Sequence, residues 1–518
     1  MLLKSTVKVG AATILSRVLG FIRDIVFARY FGASGATDAF FLAFKIPNFM
    51  RRLFAEGSFS LAFVPVLSEV RASGDRRALK DLVDHVAGPL AGILLALTAI
   101  GVFAAPAVVA LFAPGWAIEG REEFWLSAGM LRITFPYLLL ISLTALAGGI
   151  LNTFDRFLVP ALTPVLLNLS LIAAAVLLSG YMDVPVEALA WGVLAAGILQ
   201  LGVQIPALLR LGLLPRPRWG WRHSGVRRIL RLMIPTLIGS SVAQVNLLFD
   251  TVIATFLVAG SVSWLYYSDR LLEFPLGVFG IALSTVILPN LSRKFAQQNP
   301  KGFSATLDWA LRLALIITLP AALGLAMLAS PILVTLFQYE AFGMGDVDMS
   351  ALSLSAYAIG LPAFIAVKVL APGFYARQDT KTPVKIAIIA MASNMVLNLA
   401  FVASLLAIGF RGPHTGLALA SSLAAYINAG LLYRMLRRQG AYQPERGWRR
   451  VFLAVAAGCA AMAAVLVWQT GELSQWAQAD AVSRAIRLAA LIAVGAAVYA
   501  AATLAGGLRV RHLGKGGS

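Results

Sequence analysis

Charged side chains interrupt long apolar runs: Arg17, Arg23 and Asp24 in one, Asp38, Lys45, Arg51, Arg52 and Glu56 in the next, Arg270 and Glu273 farther on. A charge at the centre of a bilayer costs about 2.5 to 3.5 kcal/mol, so such groups face protein or a hydrated cavity rather than lipid. At about 100° per residue, Thr6, Thr13, Ser16, Arg17, Gly20, Arg23 and Asp24 fall in one arc of about 120°. Ser263, Tyr266, Arg270, Glu273, Gly277, Gly280 and Ser284 share an arc of about 100°. Asp38, Lys45, Asn48, Arg52 and Glu56 fall within about 80°, with Arg51 off that stripe and Pro47 able to kink it. The planar guanidinium fork fits phosphate oxygens in pairs, so this chemistry is recognition of an anionic, phosphorylated ligand. The competing account is a set of buried ion pairs that fix helix packing. It is the weaker one, because a buried pair gains little over apolar packing.

Machinery for breaking phosphate bonds is not encoded. There is no G-x-x-x-x-G-K-[ST] loop and no acidic cluster spaced to hold Mg²⁺ near the arginines, so movement of a ligand is expected, without catalysis, cofactor or metal. The four histidines, His85, His223, His414 and His512, stand near the ends of apolar runs, where an interfacial role is expected. The single cysteine, Cys459, excludes an intrachain disulfide. Without nucleotide, directionality must come from ligand gradients, Na⁺, H⁺ or the membrane potential; one charge crossing 100 mV is worth about 2.3 kcal/mol. Asp250, with Asn394 and Asn398 one helical turn apart, is the candidate cation-coupling set, ordinary interhelical hydrogen bonds being the alternative. Lys368 is read either as a cavity cation or as a snorkelling interface residue.

The elements that must position these groups follow from composition. The 518 residues are 59% hydrophobic and only 13% charged, against about 25% charged in soluble domains, and mean hydropathy is +0.82. A water-soluble globular protein is excluded. Roughly fourteen stretches, from 8–31 to 485–506, are long and apolar enough to span the ~30 Å hydrocarbon core. The net charge of +19 concentrates in alternate connections, including Arg71, Arg76, Arg77 and Lys80, Arg210 to Arg231, Arg293 and Lys294, and Arg434 to Arg450. By the positive-inside rule both termini are cytoplasmic, and nucleic-acid binding is not needed to explain the charge. Phe63-Val-Pro-Val-Leu-Ser68 resembles Ile287-Leu-Pro-Asn-Leu-Ser292, and Pro136 and Asn168 match Pro362 and Asn394 at nearly the same period. The expected fold is an all-α polytopic membrane protein of fourteen transmembrane helices. Two six-helix lobes, 1–209 and 232–434, would be related by a pseudo-two-fold axis along the membrane normal and face each other across a central cavity. A basic connector, 210–231, joins them, and 435–518 adds two further spans and a cytoplasmic tail.

Specific motifs carry a resemblance. Ser16-Arg-Val-Leu-Gly-Phe-Ile-Arg-Asp24, Thr37-Asp-Ala-Phe-Phe41, Arg51-Arg-Leu-Phe-Ala-Glu-Gly57, Asp269-Arg-Leu-Leu-Glu-Phe-Pro275 and Val367-Lys-Val-Leu-Ala-Pro-Gly-Phe-Tyr375 resemble the MurJ (MviN) lipid II flippase family over essentially the whole chain. That family lies within the multidrug/oligosaccharidyl-lipid/polysaccharide exporter superfamily. The resemblance implies a bacterial inner-membrane protein that carries lipid II, the undecaprenyl-pyrophosphate-linked peptidoglycan precursor, from the cytoplasmic to the periplasmic leaflet by alternating access. Its partners would be lipid II, membrane lipids and cell-wall synthesis proteins, with no nucleic acid. Arg17, Arg23, Asp24, Asp38, Lys45, Arg51, Arg52, Glu56, Arg270 and Glu273 are the expected substrate-binding set. The rivals are a flippase for another polyprenyl-linked oligosaccharide such as O-antigen, a drug antiporter, which a basic cavity disfavours, a membrane glycosyltransferase, which lacks its acid/base constellation, and a non-transporting scaffold.

Overall fold

A computed structural model describes the backbone of residues 2–52 and 59–508, and the side chains of these except 2–8, 61, 235–247 and 281. Glu56, Gly57, His512 and the basic tail Arg509, Arg511 and Lys515 therefore lie outside the described residues, as do the side chains of Lys4, Thr6 and Lys8. Among the described residues there is no strand, and eleven helices are long and apolar enough to cross a membrane. Large apolar side chains such as Phe103 (85% exposed), Ile118 (77%) and Trp468 (81%) point away from their own helix packing, as a lipid-facing surface requires. The chain divides into two compact units, Met1–Ser263 and Trp264–Ser518.

In the first unit the helices are α1 Leu2–Phe31, α2 Gly35–Arg51, α3 Ser60–Ala72, α4 Arg76–Phe103, α5 Ala105–Phe112, α6 Pro114–Glu119, α7 Glu122–Thr134, α8 Tyr137–Thr153, α9 Leu158–Leu177, α10 Glu187–Leu211 and α11 Ser224–Ala254. Helix α12, Ser261–Pro275, starts here and continues into the second unit. α1 packs along α9, α2 along α7, and α8 and α9 against α10. Ser34 caps α2 by accepting Thr37 N–H at 3.2 Å, and Asp75 caps α4 from Arg77 N–H and Ala78 N–H at 2.8 and 3.0 Å, satisfying donors that a helix start leaves orphaned. Spans read as continuous are broken. The run 83–112 divides at Ala104, just before Pro106, and 124–151 divides at Phe135–Pro136, where proline supplies no N–H to the ladder. α11 runs from the expected connector into the stretch expected to open the second lobe, and it packs on α3 and α4. Val226 and Ile229 join Phe63, Val66, Leu79, Leu82 and Val83 in one buried cluster.

The second unit holds a π-turn at 276–280, then α13 Ile281–Ala296, α14 Pro300–Met327, α15 Ala329–Leu336, α16 Met344–Leu370, α17 Pro372–Tyr375, α18 Lys381–Ala407, α19 Thr415–Arg438, α20 Trp448–Thr470, α21 Leu473–Gln478 and α22 Ala481–Ala505. The stretch 263–291 is thus two helices joined by a π-turn after Pro275, whose missing N–H breaks the ladder. α16 packs between α14 and α19, and the C-terminal pair α20 and α22 packs together and against α14. Two polar anchors hold that pair. Asp308, 1% exposed, accepts from Tyr442 Oη at 2.8 Å, Trp448 Nε1 at 2.7 Å and Glu445 N–H at 3.1 Å and pairs with Arg312 at 2.6 Å. Arg484, 6% exposed, donates to the carbonyls of Ala477, Ala479, Val334 and Gln338, placing a cation against the C-terminal ends of α15 and α21.

Candidate functional site

Within the first unit, the polar arc of α1 is divided between packing and surface. Arg23 is 5% exposed and Asp24 2%; the guanidinium reaches Asp24 Oδ1 from Nε at 3.0 Å and Nη2 at 2.7 Å, and Asn168 Oδ1 on α9 from Nη1 at 3.0 Å. Asn168 returns a bond from Nδ2 to the Ser16 carbonyl at 2.9 Å. Gly20 faces Asn168 across this contact, and a Cβ there would meet Asn168 Nδ2 at 3.5 Å, an ordinary van der Waals distance. The face of Phe27 lies 5.5 Å from the Arg23 guanidinium carbon. The guanidinium thus meets a carboxylate and an amide oxygen at hydrogen-bond distance, so its charge is compensated locally. Arg17, about two turns away, is exposed.

α2 divides in the same way. Asp38 is 2% exposed; its Oδ2 accepts Gly260 N–H at 2.7 Å and its Oδ1 accepts Ser263 N–H at 2.7 Å, together with Ser263 Oγ. It therefore caps the start of α12 and ties it to the start of α2. Lys45, half-buried, donates to Thr251 Oγ1 of α11. Arg51 folds back on Asn48 Oδ1 through Nε and Nη2 at 2.9 and 2.7 Å, and Arg52 is exposed. Farther along, Glu69 at the end of α3 meets Arg228 at 2.7 Å, and that guanidinium holds the carboxyl below its usual range, chiefly through its hydrogen bond.

In the second unit, Arg270 Nη1 bonds Glu273 Oε2 at 2.6 Å, one turn along α12, with both side chains partly exposed. The Tyr266 ring lies 5.4 Å from the same guanidinium. Lys368 is exposed and its stem passes over Gly280, where a Cβ would come within 2.7 Å of Cδ. Asn398 Nδ2 donates to Asn394 Oδ1 at 3.0 Å and Asn394 Nδ2 to Ser421 Oγ at 3.3 Å. Asp250 belongs to the first unit and these asparagines to the second, so the three do not form a set within either unit. His414, in the turn before α19, is fully buried with Nε2 against the Met349 carbonyl at 3.0 Å; burial pushes its pKa down to about 4.

The structure thus adds Asn168 to the charged set, and the only sequence signal for it is its place in the repeat. Asp308 and Arg484 carry no signal, because each stands at the start of an apolar run, where charged residues are ordinary.

Comparison with known proteins gives a consistent result. The family model described as lipid II flippase MurJ matches residues 27–486. A probable lipid II flippase MurJ of Vibrio cholerae is 48% identical over 99% of this chain and 97% of its own, and the lipid II flippase MurJ of Burkholderia cenocepacia is 43% identical over 96% of each. A solved structure described as lipid II flippase MurJ in an inward closed conformation is similar at a TM-score of 0.78 and 29% identity, over 96% of this chain and 97% of that one. A multidrug resistance MATE family transporter of the MOP superfamily, in an inward-facing conformation, shares the fold at a TM-score of 0.64 and 14% identity, over 84% of this chain and 98% of its own. With the match running nearly end to end in sequence and in fold, the chain belongs to the lipid II flippase MurJ family.

Proposed function

We propose that this protein is a lipid II flippase of the bacterial inner membrane, moving undecaprenyl-pyrophosphate-linked peptidoglycan precursor from the cytoplasmic to the periplasmic leaflet by alternating access. The observation that carries the reading is the nearly full-length likeness to proteins named for that activity, since charge alone specifies a phosphorylated cargo without naming it. Fourteen spans with both termini cytoplasmic are part of the proposal. Arg17, Arg51 and Arg52 with Lys45 are the groups that the first unit offers to a diphosphate, and Arg270 the group offered by the second. Arg23, Asp24 and Asp38 set the positions of α1, α2 and α12 through the bonds described above, and Glu273 sets the orientation of the Arg270 fork. A guanidinium half-neutralised by a neighbouring carboxylate releases its bound cargo more easily than a bare one, which a carrier needs as much as it needs capture. Na⁺, H⁺ or the membrane potential supplies direction. Cell-wall synthesis proteins are proposed partners.

The test is complementation of a strain depleted of its own lipid II carrier. The wild-type chain is expected to restore growth and Arg17→Ala to fail while inserting and melting normally. Failure of well-inserted wild type would assign a different polyprenyl-linked cargo.

A further inference from the structure

The transport reading leaves unused a cluster where the connector meets α4. Asp81 and His85 stand four residues apart on α4 and so share a face. The fold brings His223, just ahead of α11 and 142 residues from Asp81, onto the same carboxylate. His85 Nδ1 lies 3.2 Å from Asp81 Oδ1 and His223 Nε2 lies 3.2 Å from Asp81 Oδ2. The two imidazoles stack with centroids 4.9 Å apart and planes within 15°. One donor atom from each residue lies within 4.8 Å of the others, and all three residues are half-buried. Two ligand atoms at zinc–nitrogen and zinc–oxygen bond lengths around a tetrahedral ion are separated by roughly 3.3 Å. Each imidazole nitrogen already stands at about that distance from one oxygen of the carboxylate, and closure on a single ion requires the stacked rings to turn so that their in-plane lone pairs converge.

We infer that Asp81, His85 and His223 form a binding site for a zinc-class divalent cation, with water completing the shell, and that the bound ion fastens the connector to α4. One carboxylate and two imidazoles are a donor set of the right hardness for Zn²⁺ and too few oxygens for Ca²⁺. The backbone passes close to both imidazoles: a Cβ on Gly220 would fall 2.3 Å from His85 Cδ2, and one on Gly225 would fall 3.2 Å from His223 Nδ1. Without the ion, His85 Nδ1 donates to the Asp81 carbonyl at 2.8 Å, and His223 Nδ1 accepts Gly225 N–H at 3.2 Å, capping α11. Loading gives up the first bond and, by moving the His223 proton to Nδ1, the second. The site therefore exchanges the α11 cap for a cross-link between α4 and the connector. Arg218 Nη1, 3.8 Å from Asp81 Oδ1, competes with the cation for the carboxylate.

The test uses the full-length protein in detergent with its affinity tag cleaved off, titrated with Zn²⁺ against a chromophoric chelator and with Co²⁺ by visible absorption. One equivalent should bind with micromolar affinity, and His85→Ala and His223→Ala should each weaken it about tenfold or more. Arg218→Gln should tighten it. Zn²⁺ should also raise deuterium uptake at the Gly225 amide while lowering it over 213–222. Absence of stoichiometric binding, or binding that survives both histidine substitutions, overturns the site.

Discussion

At the scale of single residues, the charges on α1 serve two ends that a helical wheel cannot separate. Arg23 sits in a closed node with Asp24 and Asn168, whereas Arg17 remains exposed. Arg23→Ala removes the guanidinium from a buried carboxylate and should cost about 3–5 kcal/mol, read as a fall in melting temperature in detergent. Adding Asp24→Asn to that change should recover much of the loss. Arg17→Ala should stay within about 0.5 kcal/mol of wild type, so its defect will show in complementation alone. His414 gives a pH signature. Its folded pKa is depressed to about 4 from 6.5, so the unfolded chain takes up the proton first as pH falls. Its contribution is intact above 6.5 and is lost progressively toward 4. His414→Gln should therefore flatten the melting temperature profile across that window relative to wild type. Arg23 and Asp38 were recognisable from the sequence as out of place in lipid. Their partners were not, because Asn168 and the 260–263 turn lie far along the chain.

At the scale of elements, the connector is held by backbone contact more than by its own many arginines. Arg218 N–H donates to the Asp84 carbonyl at 3.0 Å and Arg216 N–H to Asp84 Oδ1 at 2.7 Å, and Lys80 pairs with the same carboxylate. Gly88, one turn on along α4, leaves room for the passing strand of chain: a Cβ there would lie 2.1 Å from the Arg218 carbonyl oxygen. Gly88→Ala must shift backbone on one side and should cost about 1–3 kcal/mol, with faster proteolysis within 213–222. Gly202→Ala on α10, where a Cβ meets nothing within 4 Å, should stabilise slightly by helix propensity. The long apolar runs coincide with the eleven membrane-length helices found among the described residues. Breaks at Ala104, at Phe135–Pro136 and at the 276–280 π-turn were not predicted, since proline is tolerated in a span when neighbouring helices satisfy the freed carbonyls.

At the scale of the whole molecule, the positive-inside count commits to an orientation that can be measured. In a Cys459→Ser background, Ser73→Cys in the α3–α4 turn should be labelled only from the cytoplasmic side, and Asp183→Cys, in the turn between α9 and α10, only from the periplasmic side; the reverse pattern would invert the topology. Composition and hydropathy alone established that the chain lives in a membrane as a helical bundle, because those properties sum over residues and do not depend on which helices touch. The motifs resembling a flippase family were legible for the same reason: they are contiguous. Only the tertiary structure decided that Asp38 caps α12, that Arg23 spends its charge on Asp24 and Asn168, and that α11 packs with the first unit through Val226 and Ile229. These are contacts between residues distant in the chain. A helix's polar face says that something must meet it, and the packing of its neighbours chooses what does.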